Sequence, residues 1–287
     1  MPDQTTINET TFFAFDLEAT GIAPGFDQIV ELAAARFEVR GYGDSLRIVP
    51  GPVFTSLVRA KRSMPPPIAR LTGIDDTMIA EAPSLEEVWP QFLDTFQVPG
   101  TVIAMAHSAK SDLALLVAEA ARCDLSWGLP PFICTFEMAR RVFSDAPSLK
   151  LSSLVTWRNC VDDKAGFHRA RADALHTRNL FGQLASTTGA RTLRELGVKQ
   201  FCKVPEAGDL AVTIPDKLQV LAQAIEPAQR LSLSYRGGSK GRERRPMTPL
   251  GFYKLENKLF LRAWCHVDDE AKSFRCDRII EIHGREH

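Results

Sequence analysis

Two carboxylates separated by a single residue open the chemistry of this chain. Asp16 and Glu18 stand in FDLEATG, at the end of the apolar run TFFAFDL (11–17). In an extended strand residues i and i+2 share a face, so both acids point one way while Phe15 and Leu17 point the other. Like charges at the end of a buried strand are costly unless a cation compensates them, and hard divalent ions with oxygen ligands do that. Asp112 follows in AHSAKSDLALL, where a short strand gives way to a helix, and His168 and Asp173 share HRARADA at the opening of another helix. Singly, each has a bland explanation: an acidic strand end, a first-turn acid favoured by the helix dipole, a loop histidine. Four carboxylates and a histidine together are what a phosphodiester-cleaving site asks for.

The elements that must position these groups are legible from patterning. Residues 11–17 and 29–39 (IVELAAARFEV) are apolar and separated by turn-forming ATGIAPGFDQ, which reads as a strand hairpin, with a third strand at 51–59. Prolines 65–67 open a short helix over Ile68–Leu71, and Ser84 with Glu87 forms a capping box for a helix running to Phe96. TVIAMA (101–106) is a buried-type strand. The helix after Ser108 puts Leu113, Leu116, Val117, Ala120 and Ala121 on one face, and further helices are expected near 134–144, 148–157 and 170–187. Strands followed by strands alternating with helices indicate an α/β or α+β sheet domain. Residues 189–212 break the rhythm, which divides the chain into a first domain (1–190), a linker (191–212) and a second domain (213–287). In the last, a helix over Asp216–Ile225 precedes LSLSY, PMTPLGFYKL, KLFLRAWC and SFRCDRIIEIH, with a tight turn at Glu256-Asn257; that succession suggests a small β-barrel.

Residues 10–188 resemble the DEDDh branch of the DnaQ-like exonucleases, which have the ribonuclease-H-like fold. FDLEATG is similar to that family's first motif, AHSAKSDLALL to its second and HRARADA to its third, and LTGID (71–75) resembles a segment between the first two. Ala19, Ser108 and Ser111 depart from the residues commoner at their positions; they touch packing and substrate contacts. The resemblance implies a catalytic set of Asp16, Glu18, Asp112, His168 and Asp173. It also implies hydrolysis of 3′-terminal nucleotides, with release of nucleoside 5′-monophosphates from single-stranded DNA or RNA. Cleavage needs an attacking hydroxide, an in-line leaving oxygen and relief of phosphoryl charge, which two metal ions about 3.5–4 Å apart supply. Asp16 would bridge both ions, Glu18 and Asp173 complete one shell and Asp112 hold the second through water. An all-carboxylate site favours Mg²⁺ or Mn²⁺ over zinc. His168, of a residue type that titrates at about 6.5, would be the general base. Backbone N–H groups of Ala19 and Thr20 are candidate contacts to the terminal nucleotide, whereas His107 reads as a structural strand-end residue.

Residues 213–287 resemble a WYL domain, through AIEPAQRLSLSYRG, RRPMTPLGFY, LFL in place of Trp-Tyr-Leu, and FRCDRI. The stretch 230–245 sets Arg230, Arg236, Lys240, Arg242, Arg244 and Arg245 against Glu243, with Tyr235 among them; Arg262, Arg275 and Arg278 follow on the strands. Basic groups interleaved with rings suit single-stranded nucleic acid, so Tyr235, Arg236, Arg244, Arg245, Arg262, Arg275 and Arg278 are candidate substrate contacts. The alternative is a nucleic-acid-binding or ligand-sensing regulator with a vestigial nuclease domain. Composition limits the rest. With 35 basic and 35 acidic residues among 287, no global field pulls the chain to a polyanion or a membrane. No apolar run approaches a membrane span and no signal peptide is evident. The six cysteines are scattered without zinc-site spacing, so a cytoplasmic location is the expectation.

Overall fold

The computed structural model describes residues 5–162, 166–237, 244–255 and 257–284. The expected hairpin is present as β1 (Thr10–Ala19) and β2 (Ile29–Arg40), antiparallel, with β3 (Arg47–Leu57) on the far side of β2. β4 (Thr101–Ala106) runs parallel to β1, and β5 (Phe132–Cys134), three residues long, runs parallel to β4, giving the order β3-β2-β1-β4-β5. The helices are α1 (Pro66–Thr72), α2 (Asp76–Glu81), α3 (Leu85–Asp94), α4 (Ala109–Arg122), α5 (Thr135–Val142), α6 (Leu151–Trp157) and α7 (Ala170–Thr188). The box at Ser84 and Glu87 caps α3 in both directions. α2 and β5 escape sequence reading because six residues of helix or three of strand are too short to show a period.

Strand alternation feeds two cores. Phe12 and Ala14 of β1 pack with α5, α6 and α7 on one face, where Phe12 meets the rings of Phe37 and Phe181. Phe13, Phe15 and Leu17 pack with α3 and α4 on the other, against Phe92, Phe96 and Phe132. The layers are helices, mixed sheet, helices.

The segment expected to be a linker differs from that expectation over its first half. Leu193 and Leu196 are wholly buried in the α7-side core with Val198, while Cys202 and Val204 pack on the opposite core. Leu193 N donates to Thr5 O (3.1 Å) and Cys202 N to Phe132 O (2.7 Å), so residues 193–202 run along the first domain. Their apolar residues follow neither helical nor strand spacing, which is why they read as a break.

The second domain opens with a 3₁₀ turn (Asp216–Leu218) running into α8 (Gln219–Gln223), shorter than the helix expected. Five antiparallel strands follow: β6 (Leu231–Tyr235), β7 (Arg244–Leu255), β8 (Lys258–Cys265), β9 (Glu270–Arg275) and β10 (Ile279–His283), ordered β10-β6-β7-β8-β9. A 3₁₀ turn at Cys276–Arg278 joins β9 to β10, and no pairing closes these end strands into a barrel among the described residues. Leu218, Leu221, Leu231, Leu233, Met247, Leu261 and Phe274 form its core. The expected tight turn at 256–257 involves Glu256, outside the described residues.

Because Leu196 is sealed in the first core, Leu196→Ala should cost about 2–5 kcal/mol, the usual result of emptying a packed leucine site. Urea unfolding of the full chain measures this. A change below about 0.5 kcal/mol, the level of a surface substitution, would mean that the segment only rests on the domain.

Candidate metal centre and nucleic-acid groove

The face of β1 that carries Phe12 and Ala14 beneath α7 ends in Asp16 and Glu18, and the first turn of α7 brings Asp173 to them. One carboxylate oxygen from each of Asp16, Glu18 and Asp173 lies within 4.8 Å of the other two. Asp112 joins them from the first turn of α4, close enough to Asp16 to be the strongest of the charges acting on it. Burial and then the repulsion of Asp112, Asp173, Glu18 and Glu31 hold the Asp16 carboxyl well above the ordinary range. Burial, with Asp173 and Glu31 adding to it and Arg169 opposing, pushes Glu18 up to about 8. Burial pushes Asp112 up to about 7. No Lys or Arg forms an ion pair with any of these four acids among the described residues. An all-oxygen set with repelling, partly desolvated charges fits a hard divalent cation, and Asp16, Glu18 and Asp173 are the residues that would hold it.

A fifth acid, Glu31, lies outside the motifs, although a lone carboxylate inside IVELAAARFEV is itself a signal. It lies directly across β1–β2 from Glu18 and is 3% exposed. Arg169 grips it with both edges of the guanidinium, Nε to Oε2 at 3.0 Å and Nη2 to Oε1 at 2.7 Å. The backbone N–H of Ala170 donates to the same carboxylate at 2.8 Å. Glu31 therefore ties the start of α7 to β2, and with it the pair His168 and Asp173. His168 has φ +63°, a left-handed conformation that histidine tolerates better than most residues, and is exposed. Its backbone N–H donates to Asp173 Oδ2 (3.1 Å). His176, one turn beyond Asp173, is fully buried, stacks on Phe167 with 4.5 Å between centroids, and sets Nδ1 3.4 Å from Asp173 Oδ1. The sequence holds a hint of this in the i+3 spacing.

Of the two candidate nucleotide contacts after Glu18, Thr20 is spent elsewhere. It is 1% exposed, its N–H donates to Gln28 O (2.9 Å), and its hydroxyl accepts from Gln28 N (3.0 Å). Ala19 is buried at the end of β1. His107 has the structural part expected of it: its ring bridges Thr135 Oγ1 (3.0 Å) and the Leu149 carbonyl (2.8 Å), and burial lowers its pKa.

In the second domain the candidates separate by burial. Arg236, Arg244 and Arg278 are exposed, and Arg275 is held by Asp277 at 2.6 Å. Tyr235, Arg245 and Arg262 are buried, at 8%, 5% and 7% exposure, which corrects the expectation of a surface grip. Tyr235 sits against Phe274, and its hydroxyl accepts from Arg275 N. Lys240, Arg242 and Glu243 lie outside the described residues. Basic surface is instead gathered in a groove of about 920 Å³ between the domains, lined from α4, α5, residues 198–205 and the end of β7. Its charges are Lys110, Arg140, Arg141, Lys199, Lys203 and Lys254 against Glu137 and Asp209.

Comparison with known proteins agrees with this geometry. Residues 13–181 match the RNase T exonuclease family, and residues 216–283 match the WYL domain. A Mycobacterium tuberculosis protein whose name is that of a bifunctional exonuclease/endonuclease is 35% identical over 198 residues, 65% of this chain and 28% of that protein. DNA polymerase III subunit epsilon of Aquifex aeolicus is 30% identical over 171 residues, 60% of this chain and 78% of that one. The chain thus spans well under a third of the first relative and most of the second. Among solved structures, the nuclease domain of 3′hExo, a DEDDh family member, shares the fold with a TM-score of 0.54 at 11% identity, over 69% of this chain and 98% of that one. E. coli ExoI in complex with single-stranded DNA aligns with a TM-score of 0.55 at 15% identity, over 88% of this chain and 54% of that one. No helix among the described residues is long and apolar enough to cross a membrane. With the family match running through more than half of its 287 residues, the chain belongs to the RNase T exonucleases and carries a WYL domain behind the nuclease fold.

Proposed function

We propose that this protein removes 3′-terminal nucleotides from single-stranded nucleic acid in a reaction that requires Mg²⁺ or Mn²⁺, two ions per site, releasing nucleoside 5′-monophosphates. The observation that carries the reading is the convergence of Asp16, Glu18, Asp112 and Asp173 with no basic ion-pair partner among the described residues. A binding module gains nothing from four repelling carboxylates. Bound divalent cations would supply relief of charge on the phosphoryl oxygens and a more acidic water. The chain's own residues orient and move protons. His168, on the exposed loop that the Asp173 carboxylate anchors, takes the proton from the attacking water. Glu31 and Arg169 keep that loop and α7 in register with β1.

The body of the strand runs in the basic groove. Cys134, at the end of β5, lines it, and β1, β4 and β5 are parallel neighbours, so it opens about 10 Å along the sheet edge from β1, two strand spacings. That E. coli ExoI, similar in fold over 88% of this chain, is described with single-stranded DNA supports this choice of ligand. Arg236, Arg244 and Arg278 are further exposed basic groups on the second domain, with Arg244 at the opposite end of β7 from Lys254.

Incubation of the full chain with a 3′-labelled single strand should release mononucleotides in Mg²⁺ or Mn²⁺ and none in EDTA. Asp16→Ala should abolish release, and His168→Ala should lower turnover by roughly 10²–10⁴-fold with metal binding retained. Binding without release under all conditions would favour the regulatory reading instead. Lys199→Ala with Lys254→Ala should flatten the log–log salt dependence of single-strand binding by about 1.4, at about 0.7 for each phosphate no longer neutralised by a lysine. Unchanged slopes would take the strand out of the groove.

The raised carboxyls also make a prediction for stability. Asp16, Glu18 and Asp112 have folded pKa values above their unfolded ones. Between about pH 4 and 8 the metal-free folded chain therefore holds protons that the unfolded chain has released, and stability falls as pH rises through that window. In EDTA the melting temperature should drop from pH 5 to pH 8, by about 2–4 °C per kcal/mol of stability forfeited. Mg²⁺ or Mn²⁺ should shrink the drop. A flat profile in EDTA would show that the acids are not packed together as described.

A further inference from the structure

The turn between β1 and β2 is closed by one buried carboxylate. Asp27 is 3% exposed; its Oδ2 accepts from Ala23 N (2.8 Å) and its Oδ1 lies 3.4 Å from the Thr20 hydroxyl. A Cβ on Gly21 would fall 2.3 Å from the same carboxylate, so the turn wraps tightly around it. This turn begins two residues after Glu18. Glu18, opposite Glu31, is the last pair of the regular β1–β2 ladder; the register shifts between it and Ala19, just before the turn. Beyond that pair the hydrogen bonds of the turn take over from the ladder.

The counter-charge for Asp27 comes from the other domain. Arg262 of β8, 7% exposed, places Nη2 3.9 Å from Asp27 Oδ2 and donates from Nη1 to Ser273 Oγ at 3.3 Å. Gly251, its partner across β7–β8, lies so close to the turn that a Cβ would come within 3.0 Å of the Phe26 ring. Arg62 stacks on that ring at 3.7 Å. Tyr253, stacked on Phe260, completes this face, and Arg262 Nε is buried with no hydrogen-bond partner among the described residues. Such polar atoms are costly to bury, and the Asp27 charge is what the arginine faces in return.

We propose that Arg262 is a positioning residue for the nuclease site: through Asp27 it holds the turn that fixes Glu18, so the WYL domain is part of the metal-binding unit and not only a surface for the strand. The inference rests on the exonuclease reading for its consequence in catalysis, while the clamp itself is measurable without cleavage. Removing one partner of a buried ion pair leaves the other uncompensated. In the full chain, Arg262→Ala should therefore speed amide hydrogen exchange of the segment 17–30 by at least about tenfold, leaving the α5–α7 side of the fold unchanged. Mn²⁺ affinity, measured by calorimetry, should weaken by about tenfold, the low end for groups standing behind metal ligands. Arg262→Lys should recover part of both. In an Asp27→Asn background, where the carboxamide oxygen still accepts from Ala23 N–H and the charge is gone, Arg262→Ala should add nothing further. Wild-type exchange and Mn²⁺ affinity in Arg262→Ala would overturn the proposal. So would an effect that persists undiminished with Asn at position 27, or a uniform rise in exchange through both domains, which would mark a general stabiliser. Should Arg262→Ala not fold, the Lys variant and Asp27→Asn decide through the same two readouts. A wild-type chain that binds Mn²⁺ yet cleaves nothing would sink the nuclease reading and leave the exchange result standing.

Discussion

Repulsion among acids gathered at one end of β1 is the constraint around which this molecule is arranged. Asp16, Glu18, Glu31, Asp112 and Asp173 act on one another at close range, and Asp27 follows in the adjoining turn. In so confined a place the interaction of unit charges is several times stronger than in water, so each acid must be neutralised, paired or protonated. The chain treats them selectively. Glu31 receives Arg169, and Asp27 faces Arg262; each of these also accepts a backbone N–H. They act as fasteners, each meeting a guanidinium and a backbone N–H. The other four have no Lys or Arg partner among the described residues. Their unmatched charge is what remains for a cation to satisfy.

Selective compensation also explains why the fasteners lie where they do. A metal site needs ligands held within a few tenths of an ångström, and ligands that repel one another move apart unless the backbone beneath them is fixed. Asp16 is held in the ladder with β2, opposite Ala33, just beyond the Ala14–Met105 pair that ends the β1–β4 register. Glu18 stands where that ladder becomes irregular, and Asp173 stands on a helix that begins after an exposed loop. The buried carboxylates of Asp27 and Glu31 stand in those two neighbourhoods, one in the turn after Glu18 and one against the start of α7.

Much of this is legible in the sequence, and what is not has a physical reason. The five residues of the motifs need only local spacing: i, i+2 on a strand, a first-turn acid on each of two helices. The hairpin, the capping box of α3 and the long α7 follow from short-range patterning. Glu31 and Asp27 escape such reading because their roles depend on partners 138 and 235 residues away, Arg169 and Arg262, which no periodicity reveals. Leu193 and Leu196 read as linker because their burial comes from contact with Thr5 and the α7-side core, not from a repeating face. Thr20 resembles a substrate contact by its proximity to Glu18, but its amide is spent on Gln28, a pairing that only the closed turn shows.

The arginines of the second domain carry the same lesson further. A basic residue on a strand looks like a hand held out to a polyanion when only the strand is known. Arg244 and Arg245 are adjacent, yet alternation across β7 sends one to solvent and buries the other. Arg262 differs again, because the surface it presents is covered by the β1–β2 turn of the nuclease domain. Its charge therefore faces a neighbouring domain, and other basic side chains are gathered where both domains line one groove, the path proposed for a nucleic-acid strand. Placing the second domain against the turn that follows Glu18 brings it closer to the chemistry than a tethered binding module would come. β7 takes part in both: Gly251 lies against the turn, and Lys254 and Leu255, further along the strand, line the groove. On the proposed reading, the domain seated against the turn after Glu18 also carries part of the basic wall along which a substrate strand would approach.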